Sequence, residues 1–230
     1  MNLLKSLVLV LALVFASVRS VPASDIPVEV IDWAESNTVM VYAGSGAGTA
    51  FFIEPTMLIT ACHVVTPWVG VYIRKSGEEK RYPAAVVRCD KDKDLALIQL
   101  MGDIPDSVRT IFRGDMPRQG LTTYAMGFPV RLPLMVWHGH WQKKGPFDDY
   151  SYMDTNHTMP GDSGSPLVIF EDGQVKVVGV RTSMLEAGGD DTQQMFPQIA
   201  FITPLPTIKE FFKENLLKNE RVNIEKTNTR

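Results

Sequence analysis

Apolar residues in this chain gather in short runs that are rich in β-branched and aromatic side chains and that end at Gly, Pro, Asp or Lys. Runs of this kind are typical of β-strands. Six of them lie in the first half of the chain, at residues 39–42, 49–53, 57–60, 70–74, 82–88 and 95–100. Six more lie in the second half, at residues 121–126, 134–141, 150–153, 165–170, 174–180 and 198–202. The pattern predicts an all-β fold made of two six-stranded barrels or sandwiches.

The boundaries of the two halves follow from the same pattern. A linker near residues 101–120 separates them, so the predicted units span about 36–105 and 118–204. The one predicted helix covers residues 205–217, because apolar side chains recur there at helical spacing with Lys and Glu between them. Residues 218–230 are polar and are interpreted as a tail.

Residues 1–23 have the pattern of an export signal. Lys5 supplies the positive charge, residues 7–15 form an apolar run, and small residues follow, with candidate cleavage sites after Ala16, Ser20 or Ala23. The run is shorter than the roughly 20 residues that span a bilayer. The pattern predicts a secreted or periplasmic protein without a stable membrane span, and an uncleaved membrane anchor remains an alternative.

Composition excludes some functions. Of 230 residues, 45% are hydrophobic and 21% are charged, and the formal net charge is −3. Without a basic surplus or a basic cluster, we expect no nucleic-acid partner. The two cysteines, Cys62 and Cys89, are interpreted either as a disulfide or as two buried free thiols. Cys62 is not expected to be a nucleophile beside His63, because neighbouring side chains on a strand or tight turn point apart.

The segment Gly161-Asp162-Ser163-Gly164-Ser165-Pro166 contains a candidate nucleophile. Glycines on both sides allow a tight backbone path, on which the N–H groups of Gly161 and Ser163 could together bind an oxyanion. By itself the segment is equally typical of an ordinary turn between two strands.

Two earlier segments supply the partners that a serine nucleophile needs. A serine hydroxyl requires a base to accept its proton and an acid to orient that base. His63 ends the apolar run before it, and Asp94 opens the run 95–100. Asp90 and Asp92 are rival acids, but Asp94 lies nearest the strand, where desolvation is greatest. The order His, Asp, Ser is one of the orders known for the catalytic triad.

With these motifs, the chain resembles the trypsin-like (chymotrypsin-fold) serine proteases from about residue 38 to residue 217. The resemblance is carried by segments 46–51, 58–65, 94–98, 127–129, 161–166 and 178–180. It is closest to the bacterial branches, namely the PDZ-bearing heat-shock proteases and the glutamyl endopeptidases. It implies two six-stranded antiparallel β-barrels with an active site between them, and peptide-bond hydrolysis through an acyl-enzyme with His63 as base, Asp94 as acid and Ser163 as nucleophile.

Some residues depart from the family pattern. The Ile-Val-Gly-Gly sequence that activates the digestive enzymes is absent, so Asp162 has no evident terminal ammonium as a partner. Ser165 replaces a usual glycine, as in the glutamyl branch, and no PDZ domain is expected after residue 217. Met184 stands where many members have glycine in the substrate-binding strand and could narrow the cleft.

Substrate preference can be inferred from the resemblance alone. It implies that the primary specificity pocket is lined by His157, Thr158, Arg181 and Thr182. Thr158 and Arg181 stand where glutamyl-specific members have threonine and histidine, and a cation beside a hydroxyl could hold a carboxylate. We therefore expect a preference for acidic side chains. The alternative is that Arg181 points to solvent.

Other signals are weaker. The glycine-rich segment 44–48 lacks the ending of a phosphate-binding loop and precedes a strand, so no nucleotide site is expected. His138 and His140 share one face of a strand without further ligands at suitable spacing, so neither a metal nor another cofactor is expected.

Two functions of different classes therefore remain. The first is an exported serine endopeptidase acting on proteins or peptides; the second is a non-catalytic binding protein with a protease fold. An esterase is disfavoured, because Ser163 is followed by an apolar strand segment and not by a helix.

Overall fold

The structure, a computed structural model, describes residues 26–68, 70–102, 110–144, 152–187 and 194–213. The predicted export signal and the polar tail lie outside these residues, as do positions 214–217 of the predicted helix. In the described parts of the chain, no helix combines the length and the hydrophobicity needed to cross a membrane.

The first half of the chain forms a closed antiparallel barrel. Its six strands are β1 (Thr38–Ala43), β2 (Gly46–Glu54), β3 (Met57–Thr60), β4 (Gly70–Lys75), β5 (Tyr82–Asp90) and β6 (Leu95–Leu100). They pair in the order β1-β2-β3-β6-β5-β4, and β4 closes the barrel onto β1. Closure leaves no free sheet edge along these strands.

The second half repeats this order in a second closed barrel. Its strands are β7 (Thr122–Gly127), β8 (Met135–Lys144), β9 (Tyr152–Asp154), β10 (Pro166–Glu171), β11 (Gln174–Ala187) and β12 (Gln194–Pro204). They pair in the order β10-β11-β12-β9-β8-β7. The predicted fold class, two six-stranded antiparallel barrels, is confirmed.

Strands β11 and β12 are longer than the sequence pattern predicts. The prediction ended the first at residue 180 and began the second at residue 198, whereas the hairpin pairs as far as Ala187 and Gln194. The pairing register shifts between Arg181 and Ser183 and again between Met184 and Leu185. These irregularities break the simple alternation of buried and exposed positions, which is the signal that sequence reading depends on.

In the described residues, three α-helical segments and one 3₁₀ turn (Pro129–Arg131) accompany the barrels. The sequence analysis missed helix α1 (Val28–Asn37), which buries Val30 and Ala34. It also placed His63 at the end of a strand, whereas β3 ends at Thr60 and a one-turn helix, α2 (Cys62–Val65), carries the histidine. The predicted C-terminal helix is present as α3, residues 205–213.

Each barrel has its own core, and a third apolar cluster lies between them. That cluster joins residues of both barrels to the two long helices. From the barrels come Phe51, Ile59, Leu95, Leu97, Met126, Val168, Val175, Val177 and Val180, and from α1 and α3 come Val30, Ala34, Ile208 and Phe211. Burial of this much apolar surface fixes the faces on which the two barrels meet.

Cys62 and Cys89 form a disulfide, with their Cα atoms 5.1 Å apart. This decides between the two states that the sequence left open, and it leaves Cys62 without a free thiol. The bond ties α2 to the end of β5, which are the segments that flank His63 and the turn leading to Asp94. It therefore braces the part of the first barrel that carries two candidate site residues.

We predict that the double substitution Cys62→Ala, Cys89→Ala destabilises the protein. The bond closes a loop with a sequence separation of 27 residues, and constraining such a loop in the unfolded chain is worth about 3–4 kcal/mol. Urea unfolding of the variant, compared with oxidised and with reduced wild type, measures this free energy. An unchanged unfolding midpoint would contradict it.

Candidate active site

Helix α2 brings His63 against Asp94. His63 Nδ1 lies 2.8 Å from Asp94 Oδ2, and the backbone N–H of His63 donates to Asp94 Oδ1 at 3.0 Å. Asp94 has a φ of +48°, in the left-handed region that aspartate tolerates better than most residues. Through this two-point contact, one carboxylate fixes both the histidine ring and the start of the helix that carries it.

Of the rival acids, one is paired with other residues and the other is exposed to solvent. Asp90 pairs with Lys93 at 3.4 Å and with Arg88 at 3.6 Å. The Lys93 N–H and ammonium together with Arg88 outweigh the effect of burial and lower the pKa of Asp90. Asp92 is exposed to solvent. Of the three aspartates in this turn, Asp94 is the one that contacts His63.

Ser163 lies on a tight turn whose flanking glycines have backbone angles that side chains rarely adopt. Gly161 has a φ of +104° and Gly164 a φ of +86°. The Ser163 hydroxyl donates to the carbonyl oxygen of Thr182 at 3.2 Å. Among the described residues, no hydrogen bond joins this hydroxyl to His63.

The serine turn nevertheless packs directly beside the histidine helix. A Cβ built on Gly164 would lie 2.8 Å from the backbone nitrogen of Ala61, and closer still to Thr49 and Thr60. A Cβ built on Gly48 would lie 2.6 Å from Val64 and 3.1 Å from the Ser163 carbonyl oxygen. The fold thus brings the turn from the second barrel to the start of α2, close to His63.

Two backbone N–H groups of the turn are free to bind a ligand. In the described part of the chain, the N–H groups of Gly161 and Ser163 donate to no acceptor. The Pro160 carbonyl accepts from Val130 N at 2.6 Å. In a trans peptide the N–H points opposite to the carbonyl, so the N–H of Gly161 is directed away from Val130. Paired donors of this kind suit an oxyanion.

Thr49 joins the two barrels at this point, a role that the sequence analysis did not assign. Its hydroxyl donates to the Gly161 carbonyl at 2.8 Å and accepts from Phe128 N at 3.1 Å. Its backbone N–H donates to the Ser163 carbonyl at 2.9 Å. The threonine lies in the family-like segment 46–51, but a short polar residue in a strand gives no sign of a partner over 110 positions away.

Asp162, inside the turn, is 1% exposed. Its Oδ2 accepts from the Met159 N–H at 2.8 Å. Burial raises the pKa of Asp162 to about 6, although Arg181 and the Met159 N–H both favour the ionised form. The carboxyl group of Asp162, which costs free energy to ionise, therefore lies in sequence between the two residues that carry the candidate oxyanion donors, Gly161 and Ser163.

Arg181 is buried, which excludes the alternative that it points to solvent. It is 1% exposed, and its Nε lies 3.5 Å from Oδ2 of Asp154, a residue that is fully buried. Burial raises the pKa of Asp154, against the effects of Arg181 and of the Asn156 N–H. Asp154 was not among the predicted site residues, because an isolated aspartate at the end of a strand has no sequence signal.

The other predicted pocket residues differ in exposure. Thr158 is buried and its N–H donates to the Pro197 carbonyl at 2.8 Å. His157 is exposed, and its backbone carbonyl accepts from Arg181 at 2.8 Å. Thr182 is buried, and its carbonyl accepts from Ser163. All four predicted pocket residues therefore belong to the structure around the serine turn, but the guanidinium is already paired within the protein.

Comparison with known proteins gives consistent matches. The family model of the trypsin-like peptidase domain matches residues 48–180, more than half of the chain. The chain is 27% identical to "Putative protease Do-like 3, mitochondrial" of Arabidopsis thaliana over 174 residues, which are 71% of this chain and 29% of that protein. It is 30% identical to "Probable periplasmic serine endoprotease DegP-like" of Chlamydia pneumoniae over 151 residues, 62% of this chain and 30% of that protein.

Solved structures show the same fold. The serine endoprotease from Yersinia pestis superposes with a TM-score of 0.67 at 18% identity, covering 83% of this chain and 67% of that chain. At this identity the likeness concerns the fold. The chain spans about a third of the length of the first curated relatives it matches.

We predict that Asp162→Asn stabilises the protein at neutral pH. Because the pKa of Asp162 is raised, the folded state binds its proton more tightly than the unfolded chain between pH 3.8 and about 6. Stability therefore falls as the pH rises through that window. At about 1.4 kcal/mol per pKa unit, the substitution should raise the free energy of unfolding above pH 6 by up to about 3 kcal/mol. Asparagine keeps the acceptor for Met159.

Chemical unfolding across the pH range tests this prediction. The exposed Asp92 provides a matched control, since Asp92→Asn should leave the pH dependence unchanged. A lower stability of Asp162→Asn at neutral pH would refute the expected cost of ionisation.

Proposed function

Because the chain belongs to the trypsin-like peptidase domain family, we propose that it is a serine endopeptidase that uses Ser163, His63 and Asp94 as its catalytic triad. The observation that carries this proposal is the contact of His63 with Asp94 beside a turn that holds Ser163 and two unpaired N–H groups. The substrates are proteins or peptides.

In the proposed reaction, Asp94 accepts the Nδ1 hydrogen of His63, so that Nε2 is the nitrogen available as a base. The Ser163 hydroxyl turns from the Thr182 carbonyl to His63 when substrate binds, and such hydrogen bonds commonly form only in the complex. Ser163 Oγ then attacks the scissile carbonyl carbon as His63 takes its proton.

The tetrahedral intermediate places a negative charge on the former carbonyl oxygen. The N–H groups of Gly161 and Ser163 stabilise this charge. His63 then gives its proton to the leaving amine, and an acyl-enzyme on Ser163 remains. A water molecule, activated by His63, attacks the ester, and the acid product leaves with Ser163 and His63 restored.

The alternative function, a binding protein that has kept the fold without the activity, has less support. A non-catalytic relative is expected to have lost a triad residue, and His63, Asp94 and Ser163 are all present. The contact of His63 Nδ1 with Asp94 also leaves the other ring nitrogen available as a base, which the catalytic function requires and a binding function does not.

Covalent labelling tests the activity directly. We expect a serine-directed phosphonofluoridate to label the wild type once per chain and to leave Ser163→Ala unlabelled. His63→Ala should be labelled at least about a hundredfold more slowly, because general-base catalysis contributes about that much or more. Intact-protein mass spectrometry measures the label.

The exposed His138 on β8 supplies a control for that experiment, since His138→Ala removes an imidazole that lies outside the candidate site residues. Labelling that persists in Ser163→Ala, or a wild type that stays unlabelled, would exclude the proposed nucleophile.

The preference for acidic side chains, expected from Thr158 and Arg181, is opposed by electrostatic repulsion from carboxylates already near Arg181. The Arg181 guanidinium already lies beside the buried Asp154 and favours the ionised form of Asp162. A third carboxylate at the same cation would be repelled by the first two. These contacts favour an uncharged side chain in the pocket.

We therefore expect a peptide library to be cleaved after uncharged residues, with cleavage after Glu or Asp at no more than background frequency. Mass spectrometry of the products gives the residue on the amino side of each cleaved bond, and Ser163→Ala provides the background. Enrichment of Glu or Asp at that position would restore the acidic preference.

We further propose that the protein acts after export. The charged and apolar pattern of residues 1–23 supports this, and one relative carries the description "periplasmic". The disulfide between Cys62 and Cys89 also suits an oxidising compartment.

A further inference from the structure

We propose that Thr203 is a positioning residue. Its hydroxyl, which belongs to the second barrel, holds the peptide before Asp94 in the orientation that presents the Asp94 carboxylate to His63. This inference rests on the proposed endopeptidase function, in which Asp94 orients the base. The effect of Thr203 reaches His63 through Asp94.

One hydrogen bond between the barrels carries this inference. Thr203 is buried near the end of β12, and its Oγ1 donates to the Lys93 carbonyl oxygen at 3.0 Å. Lys93 lies in the turn 91–94, which joins the paired ends of β5 and β6 at Asp90 and Leu95. The two bonded residues are 110 positions apart in the sequence. A side chain of the second barrel therefore holds the peptide that immediately precedes the candidate acid of the first.

The bonded carbonyl is coupled to the backbone conformation of Asp94. The Lys93 carbonyl and the Asp94 N–H belong to one planar peptide unit, so they rotate together. Asp94 has a φ of +48°, in the left-handed region that costs free energy for a residue with a side chain. Rotation of the peptide would let this angle return to negative values. The Thr203 hydroxyl opposes that rotation, because it holds the carbonyl end of the peptide.

The contact of Asp94 with His63 depends on the same backbone angle. Asp94 Oδ2 lies 2.8 Å from His63 Nδ1, and Asp94 Oδ1 accepts from the His63 backbone N–H at 3.0 Å. A change of φ at Asp94 moves its Cβ and therefore the direction of its carboxylate. Since one carboxylate makes both contacts, such a change would break at least one of them. The orientation of the peptide between residues 93 and 94 therefore decides whether Asp94 can orient the base.

The other contacts of this turn act before that peptide. Asp90 Oδ1 accepts from the Lys93 N–H at 3.1 Å, and Asp90 Oδ2 lies 3.6 Å from Arg88. Arg88 in turn donates to the Phe211 carbonyl in α3 at 2.7 Å. These bonds fix the start of the turn and the N–H side of Lys93. The Thr203 hydroxyl acts on the following peptide, which leads directly into the acid.

The hairpin that carries Thr203 also holds the nucleophile. On the neighbouring strand β11, the Arg181 carbonyl accepts from the Gly164 N–H at 2.7 Å, and the Thr182 carbonyl accepts from the Ser163 hydroxyl at 3.2 Å. Strand β12 pairs with this part of β11 and provides Thr203. A single hairpin of the second barrel is therefore bonded to the turn of the nucleophile and to the turn of the acid. This common support fixes the two turns relative to each other.

The test compares Thr203→Val, which removes the hydroxyl with little change of shape, with Thr203→Ser, which keeps it. Thr110→Val is the matched control, because Thr110 is also buried and its hydroxyl donates to the Phe52 carbonyl, outside the turn of Asp94. Each variant is measured for urea unfolding and for its phosphonofluoridate labelling rate at neutral pH. The third measurement is the NMR signal of the His63 Nδ1–H proton.

The NMR signal reports directly on the contact between His63 and Asp94. It is recorded on ¹⁵N-histidine-labelled protein in a Ser163→Ala background. Of the four histidines in the chain, His63 is assigned as the one whose signal is missing in His63→Ala. Asp94→Asn gives the position of the signal without the carboxylate. A loss of stability elsewhere in the protein does not move this signal.

For Thr203→Val we expect labelling to slow by about ten- to a hundredfold, since a small misplacement of a catalytic group can cost about that much. Its His63 Nδ1–H signal should move towards the position seen in Asp94→Asn. Thr203→Ser should recover most of the rate and the wild-type signal, because it restores the donor. Thr110→Val should lose a comparable amount of stability, since a carbonyl again loses its partner, and should keep both the rate and the signal.

Two results would overturn the inference. One is a folded Thr203→Val with the labelling rate and the His63 signal of the wild type. The other is slow labelling shared by Thr203→Val and Thr110→Val with an unmoved His63 signal, which would indicate a loss of stability alone. If Thr203→Val does not fold, Thr203→Ala is judged against the same two results, because it places no methyl group against the Lys93 carbonyl.

Failure of the proposed function has a different signature. A wild type that is never labelled would exclude Ser163 as the nucleophile. The dependence of the His63 signal on Thr203, measured without the serine hydroxyl, would still test the positioning of Asp94.

Discussion

The arrangement of this protein depends on one close contact between backbones of its two barrels. Gly164, from the second barrel, lies against Thr49, Thr60 and Ala61 of the first with no room for a side chain. Thr49 reinforces the contact by bonding to the carbonyls of Gly161 and Ser163. Since α2 starts one residue after Ala61, this contact also sets the distance between His63 and the serine turn.

Apolar burial and polar contacts make different contributions to the packing of the two barrels at this junction. The cluster formed by both barrels with α1 and α3 is made of large apolar side chains, which determine which faces meet but tolerate small shifts. Hydrogen bonds from Thr49 and the glycine contact are specific in distance and direction. The proposed chemistry needs that precision, because attack requires the reacting atoms in near-contact geometry.

The buried charges beneath the turn differ from the apolar cluster in their effect on stability. Asp162, Asp154 and Arg181 are nearly inaccessible to water, and burial raises the pKa of both aspartates. Burying charges costs free energy. The hydrogen bonds of Arg181 tie the backbone around Ser163 to the end of β9 and to β11, and proteins commonly accept such a cost at sites where conformation decides function.

The sequence by itself determined the strand pattern, the two halves, the C-terminal helix, and the candidate residues His63, Asp94 and Ser163. These predictions depend on local signals, namely the alternation of apolar and polar residues, turn residues and short motifs. Such signals can be recognised without knowledge of the rest of the chain. It missed α1, whose β-branched residues at 28, 30 and 31 resemble a strand, and it could not decide whether Cys62 and Cys89 were bonded.

The surroundings of those candidates were decided only by the tertiary structure. Which acid meets His63, what Thr49 bonds, and whether the Arg181 charge faces a substrate or Asp154 all depend on residues far apart in sequence. Their contacts arise when barrel closure brings distant strands together. A charged side chain in a given local sequence pattern can therefore be exposed at the surface or buried beside an opposite charge, because its burial and its partners are set by the folded chain.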